Sequence, residues 1–493
     1  MSQNEIYLLG TAVLLILCVL ASRATERLGI PTLVVFLGIG ALAGSEGIGQ
    51  IEFNDASKAQ SLGVLALAYI LFSGGLDTKW SGVKPVLKEG LALATLGVLF
   101  TCGLIGAFVH FVIGLPWLDS LLTGAIVSST DAGAVFTVLR SRNIHLKNNL
   151  RPLLEFESGS NDPMAIFLTT SILTLMQSPY LSYTDMIPHL FLEMIVGGLF
   201  GFFAGKVIVW MFNKVKLQIE GLYTVMSIAI VIFIYSATQA LKGNGYLAVY
   251  IAGVVLGNHQ FVFKKSLSLM HDGISWLMQS AMFLTLGLLI YPSQIISVSA
   301  SGLLIAVFMI FIARPVSVYV SLFFSKLGVR EKGLISWVGL RGSVPVVMAT
   351  YPLVAGIDRG SLIFNLVFFV VLSSLIVQGT SVPFISRLLK VDDPAALPKK
   401  NYSSTPGHLQ DIVTVEVPAG SPVLNRSLVD VGISHQNALI VAIERDGQVI
   451  IPRGSTVFEA HDKISVMADD DSLGDFVELL WVSKQAQVDK KIL

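Results

Sequence analysis

The sequence predicts an all-α polytopic membrane protein with thirteen transmembrane helices, inverted repeats and broken crossing helices, followed by a small α+β cytoplasmic domain. Three observations lead there. Of 493 residues, 53% are hydrophobic and only 13% charged, about half the charge of an ordinary globular chain. Apolar segments of bilayer-crossing length, about 20 residues, recur throughout the first 390 positions. Charge then returns: residues 1–390 hold 24 basic and 18 acidic residues, whereas residues 391–493 hold 9 and 15. A soluble multidomain enzyme is excluded by the first observation. Nucleic acid is not an expected partner, because 33 basic and 33 acidic residues cancel. Cys18 and Cys102 lie in apolar runs and form no disulfide framework.

The predicted spans fall near 5–22, 30–48, 60–77, 90–113, 119–139, 152–177, 187–213, 219–241, 245–262, 272–291, 300–325, 333–353 and 361–388. The first has no basic residue before it and a second span follows at once, which argues against a cleaved signal peptide. Loop charge checks the count. Alternate loops carry 17 basic residues, among them Arg23, Arg27, Lys79, Lys147, Lys216 and Lys265, and the intervening loops carry only Lys58, Lys242 and Arg359. Cytoplasmic loops are enriched in Lys and Arg, so the N-terminus is expected outside and the tail inside. The boundary runs through the Pro/Ser/Lys-rich stretch 391–408, read as a linker between a membrane domain (1–390) and a regulatory domain (409–485).

Charges within the spans are functional candidates, because each costs about 3 kcal/mol or more at the bilayer centre. They are Asp131, Glu157, Asp162, Arg314 and Arg341; Glu155 and Glu193 lie nearer helix ends. The sixth span reads Glu157-Ser158-Gly159-Ser160-Asn161-Asp162-Pro163. Helical spacing sets Ser158 on the face of Asp162, a hydroxyl and a carboxylate suited to a hard cation. The same run could also be a polar capping turn opened by Pro163. The fifth span contains Ser128-Ser129-Thr130-Asp131-Ala132-Gly133 and the twelfth Gly339-Leu340-Arg341-Gly342-Ser343-Val344-Pro345. Polar, glycine-containing interruptions seven spans apart suggest broken helices in two repeats around a binding site; glycine-rich packing helices are the plainer reading. Buried arginines need neutralising, and Arg314 with Glu157 is the preferred structural pair. Asp162 is then left to titrate, helped by Asp131 and Asn161, while Arg341 supplies fixed positive charge at the twelfth-span break.

Thr130-Asp131, Glu157 to Asp162, Ile312-Ala313-Arg314-Pro315 and Gly339-Leu340-Arg341-Gly342 together resemble the NhaP-type antiporters, in the first of the two cation–proton antiporter families. The resemblance covers all thirteen spans. It implies a homodimer with core and dimerisation domains, elevator-like alternating access, and electroneutral exchange of one cation for one proton at the Asn161-Asp162 pair. A monovalent cation would sit at Asp162, with Ser158, Asp131 and the Thr130 carbonyl as further site residues; Glu157 and Arg314 match a structural ion pair. One departure stands out. Relatives often carry an acidic residue in the third span, where this chain reads Leu71-Phe72-Ser73-Gly74-Gly75.

In the tail, Asp411 to Val417 alternates like a strand, and Ala438 to Arg445 leads into Asp446-Gly447, a hairpin signal. With Ser421, Ser427-Leu428, Ile451 to Thr456 and His461 to Val466, this resembles the C-terminal subdomain of the regulator-of-potassium-conductance module, the TrkA-C type. It implies a dimeric sensor of a cytoplasmic ligand, in some relatives a cyclic dinucleotide such as cyclic di-AMP; a ligand-free dimerisation module is the plainer reading. The resemblances together point to a multi-pass protein of the bacterial plasma membrane, surrounded by lipid, that exchanges K⁺, or alternatively Na⁺ or Li⁺, for H⁺. No cofactor is expected besides the transported ions. A cation channel gated by the same module is the rival class, disfavoured by the absence of a Thr-Val-Gly-Tyr-Gly-like carbonyl filter. The eight histidines show no metal spacing and no Gly-x-Ser-x-Gly occurs, so an enzyme is not expected.

Overall fold

A computed structural model describes residues 3–28, 31–142, 144–147, 149–178, 183–215, 217, 219–392, 412–431, 439–445, 448–467 and 480. Most of the sequence-read linker, Lys216, the Asp446-Gly447 turn and the end of the tail lie outside them. The chain divides into two compact units, Met1–Ala396 and Leu397–Leu493.

The first unit is helical. Its segments are Gln3–Leu28, Thr32–Ala43, Ala56–Asp77, Trp80–Ile113, Trp117–Ile126, Ala132–Ser141, Leu150–Gln177, Tyr183–Lys214, Glu220–Ala240, Gly245–Gly257, Lys264–Leu288, Pro292–Ser321, Val329–Trp337, Ser343–Val354 and Gly360–Leu388. Six stretches are long and apolar enough to cross a membrane: Ala56–Asp77, Trp80–Ile113, Ile187–Lys214, Glu220–Ala240, Pro292–Ser321 and Gly360–Leu388. This is a polytopic membrane protein. The fifth and twelfth sequence-read spans are each two short helices with non-helical backbone between them, at 127–131 and 338–342. Pro292–Ser321 widens to a π turn at Met309–Ala313, immediately before Arg314, as such turns often do near functional residues.

Apolar side chains gain little by leaving lipid for a helix interface, so close backbone approach at small residues holds such bundles together. Ala56–Asp77 meets Gly245–Gly257 this way: a Cβ on Gly253 would lie 2.5 Å from the Phe72 carbonyl oxygen and 3.2 Å from Gly75 Cα. Thr32–Ala43 meets Lys264–Leu288 similarly, a Cβ on Gly40 falling 2.9 Å from Gly287 Cα. On another edge, Arg359 Nη1 lies 3.1 Å from the buried Asp119 carboxylate, a partner that reading Arg359 as a loop charge did not supply.

The second unit holds four antiparallel strands, β1 (Ile412–Glu416), β2 (Leu439–Arg445), β3 (Gln448–Ile450) and β4 (Lys463–Met467), in the order β1-β4-β2-β3. Val415, Ile443, Phe458, Ile464 and Val466 form its core. β2 and β3 pair from Ile443 with Ile450 to Arg445 with Gln448, flanking the predicted turn. Arg445 binds the fully buried Asp462 in bidentate fashion, both contacts at 2.8 Å. Burial raises that carboxyl, but Arg445 and the Glu459 N–H outweigh it and leave it below the usual carboxylate range.

Gly253→Leu is expected to force the two helices apart, lowering stability by about 1–3 kcal/mol. Gly103, with nothing within 4 Å of a Cβ, is the control. Thermal unfolding in detergent should show an earlier midpoint for Gly253→Leu and little change for Gly103→Leu; equal midpoints would refute the packing argument.

Candidate cation site at the crossing of two broken helices

The two interruptions lie against each other. The Asp131 N–H donates to the Leu340 carbonyl at 2.7 Å. Arg341, fully buried, donates through Nη1 to the Ser128 and Ser129 carbonyls at 2.8 and 2.7 Å. These carbonyls follow the helix Trp117–Ile126, whose last groups have no helical partner. The guanidinium also sits where the partial negative charge of a helix C-terminus favours a cation. Arg341 therefore faces carbonyls, and only Arg314 of the two buried arginines faces an acid.

Local sequence explains each half-helix. Asp131 caps Ala132–Ser141, its Oδ1 accepting from the Ala134 N–H at 3.2 Å. Gly342 precedes Ser343–Val354, and a Cβ there would overlap the Asp131 carboxylate. Pro345 falls in the first turn of that helix, where a missing N–H costs nothing.

Leu150–Gln177 brings the remaining groups. Ser158 Oγ donates to the Thr130 carbonyl at 2.9 Å and accepts from the Ala132 N–H at 3.1 Å. Asn161 Nδ2 donates to Thr130 Oγ1 at 2.5 Å. The Ser129 hydroxyl donates to Asp162 Oδ1. Asp162 is 7% exposed and Asn161 1%, and among the described residues Asn161 Oδ1 has no hydrogen-bond partner. The run is mid-helix, so the capping-turn reading fails: Pro163 lies inside a helix that starts at Leu150. On another side of this helix, Glu157 Oε1 meets Arg314 Nη2 at 2.5 Å, both nearly fully buried.

Asp131, Thr130, Ser158, Asn161 and Asp162 are thus gathered at one crossing, with Glu157 and Arg314 paired beside it. Carboxylate, hydroxyl and carbonyl oxygens are the donors a hard cation takes. Sequence reading missed the supports. Ser374 Oγ accepts from the Arg341 N–H at 3.1 Å and donates to Gln378 Oε1 at 2.5 Å, while Gln378 Nε2 donates to the Trp337 carbonyl at 2.8 Å. Two polar residues four apart in the apolar helix Gly360–Leu388 were the available signal. Ser73, at the third-span departure, donates to Asp272 Oδ1 at 2.9 Å, so a carboxylate reaches that position from Lys264–Leu288.

Residues 12–388 match the transmembrane sodium/hydrogen exchanger family, and residues 412–480 match the TrkA-C domain. The K(+)/H(+) antiporter NhaP of Alkalimonas amylolytica is 37% identical over 474 residues, 95% of this chain and 82% of that protein. The K(+)/H(+) antiporter NhaP2 of Shewanella sp. (strain ANA-3) is 38% identical over 483 residues, 96% and 82% of the two chains. In fold, the sodium proton antiporter MjNhaP1 from Methanocaldococcus jannaschii matches with TM-score 0.68 and 24% identity over 77% of this chain and 100% of that one. The exchanger match spans most of the membrane unit and the relatives align through the tail as well, so this chain belongs to the transmembrane sodium/hydrogen exchanger family and carries a TrkA-C domain.

Proposed function

We propose that the protein exchanges cytoplasmic K⁺ for H⁺, one for one, serving pH, potassium or volume homeostasis, with the cytoplasmic domain as regulator. The observation that carries this is Asp162: a buried carboxylate whose hydrogen-bond donor is the Ser129 hydroxyl, at the crossing of two broken helices. Asp162 holds either the proton or the cation. Asn161, Thr130, Ser158 and Asp131 complete the cation's oxygen shell when it is bound, and Glu157 with Arg314 is structural. K⁺ is favoured by the names of the relatives that align along nearly the whole chain. Na⁺ is the second reading, favoured by the Na(+)/H(+) antiporter NhaS2 of Synechocystis, 26% identical over 346 residues.

The remaining helical segments complete thirteen crossings arranged as inverted repeats, with the N-terminus outside and the tail in the bacterial cytoplasm. The protein works as a homodimer through both units, and the tail takes a regulatory nucleotide such as cyclic di-AMP.

Proton and cation compete for Asp162, so apparent K⁺ affinity should weaken as pH falls, by up to about tenfold per unit once the site is protonated. Purified Asp162→Asn in proteoliposomes should fold and exchange nothing. Asp131→Asn should weaken cation binding or slow turnover, and Glu157→Ala should unfold at lower temperature because it strands a buried arginine, a loss of about 3–5 kcal/mol. Exchange by Asp162→Asn near the parent rate would sink the assignment.

A cysteine replacing Lys58 or Arg359 should react with impermeant reagent from outside sealed cells, and one replacing Lys147 or Lys265 should not. The reverse pattern would invert the topology.

Truncation after Lys390 should keep exchange and shift its pH or ligand dependence, because a regulatory module biases an existing equilibrium. Complete loss of exchange in a folded truncation would make the tail part of the transport machinery.

A further inference from the structure

The membrane unit carries a basic cavity that the transport reading does not use. Its volume is about 510 Å³, and Lys147, Arg330 and Lys390 line it together with Val329, Glu331 and Val391. Three segments far apart in sequence converge there. Lys147 precedes Leu150–Gln177, Arg330 lies in the first turn of Val329–Trp337, and Lys390 follows Gly360–Leu388. The Lys147 N–H donates to the Val391 carbonyl at 2.9 Å, Lys147 Nζ to the Lys390 carbonyl at 3.2 Å, and Leu146 bridges to Asp392. The backbone of two of the segments is thereby joined, so the convergence is a built feature of the fold.

Among the described residues no carboxylate pairs with any of the three cations. Glu331, the one acid in the lining, accepts from the Gly328 N–H at 2.7 Å as the cap of its own helix. Three gathered positive charges raise one another's energy unless an anion joins them. Apolar side chains in the lining or close to it in sequence are exposed: Val329, which lines the cavity, is 73% exposed, and Leu388, two residues before Lys390, 63%. A free phosphate would satisfy the cations and leave that apolar surface uncovered. A phospholipid supplies both the phosphate and the acyl chains, and basic pockets at the cytoplasmic ends of transmembrane helices take anionic head groups.

We propose that this cavity binds the phosphate of an anionic membrane phospholipid, with Lys147, Arg330 and Lys390 as its ligands and the acyl chains along the exposed apolar residues beside it. The site is separate from the cation crossing, and its test reads lipid retention, so it stands or falls independently of which ion is carried.

The full-length protein in detergent, given phosphatidylglycerol, phosphatidylcholine or inorganic phosphate, is examined by native mass spectrometry. Phosphatidylglycerol should be retained in preference to phosphatidylcholine, and an equal concentration of inorganic phosphate should not displace it. Arg330→Gln, which leaves the backbone pairing of Lys147 untouched, should weaken retention about fivefold, and Lys147→Gln/Arg330→Gln/Lys390→Gln about a hundredfold. Lys147→Arg/Arg330→Lys/Lys390→Arg should retain the lipid like the parent. Equal retention of the two lipids, displacement by inorganic phosphate, or unchanged binding in Arg330→Gln would each overturn the proposal.

Discussion

Water cannot reach backbone groups in the hydrocarbon core, so every broken helix there must find partners for the N–H and C=O groups it frees. The rest of this fold depends on how two breaks meet that demand together. One supplies the N–H of Asp131 and the other the carbonyl of Leu340. The carbonyls of Ser128 and Ser129, which no helix turn can satisfy, take both their bonds from Arg341. Neither break would be stable alone. An uncompensated buried amide or carbonyl costs about 1–3 kcal/mol, and an unpaired buried guanidinium more.

That use of Arg341 decides the charge distribution. Asp131, Glu157 and Asp162 with Arg314 and Arg341 could have formed two ion pairs, leaving one acid. Instead Arg314 meets Glu157, and Arg341 spends its hydrogen bonds on carbonyls. Among the described residues no basic side chain is bonded to Asp131 or Asp162, and Asp162 accepts from the Ser129 hydroxyl alone. A fixed arginine at Asp162 would hold it permanently ionised and compete with any cation. A serine donates a hydrogen bond without supplying positive charge. The pairing of Glu157 with Arg314 thus matters to the site by holding the Arg314 guanidinium on an acid other than Asp162.

Much of this was legible because the bilayer makes polar residues conspicuous. Asp131, Glu157, Asp162, Arg314 and Arg341 stand out in apolar sequence, and the glycines at 133, 339 and 342 mark where helices break. What sequence could not convey was which polar groups meet. Helical spacing set Ser158 on the face of Asp162, yet Ser158 bonds the Thr130 backbone, and it is Ser129, in the break of the fifth span, that bonds Asp162. Ser374 and Gln378 were passed over because serine and glutamine in a long apolar span are individually unremarkable. The carboxylate opposite Ser73 comes from Asp272, almost two hundred positions away, and no local pattern announces such a pairing.

The same network bears on how a buried carboxylate could be reached from both faces of the membrane. Ser374 and Gln378 tie Gly360–Leu388 to the twelfth-span break and to the helix end before it, through the Arg341 N–H and the Trp337 carbonyl. Opening a gate between the half-helices would unmake these bonds together with those of Arg341, leaving several backbone groups and a guanidinium unpaired in an apolar medium. Each such loss is of the order of 1–3 kcal/mol. Displacing the crossing as one body breaks none of them. Its cost falls instead on the interfaces around it, where the apolar side chains that separate find lipid or other side chains of nearly equal affinity. The crossing is therefore held as one unit by bonds that separating its half-helices would break.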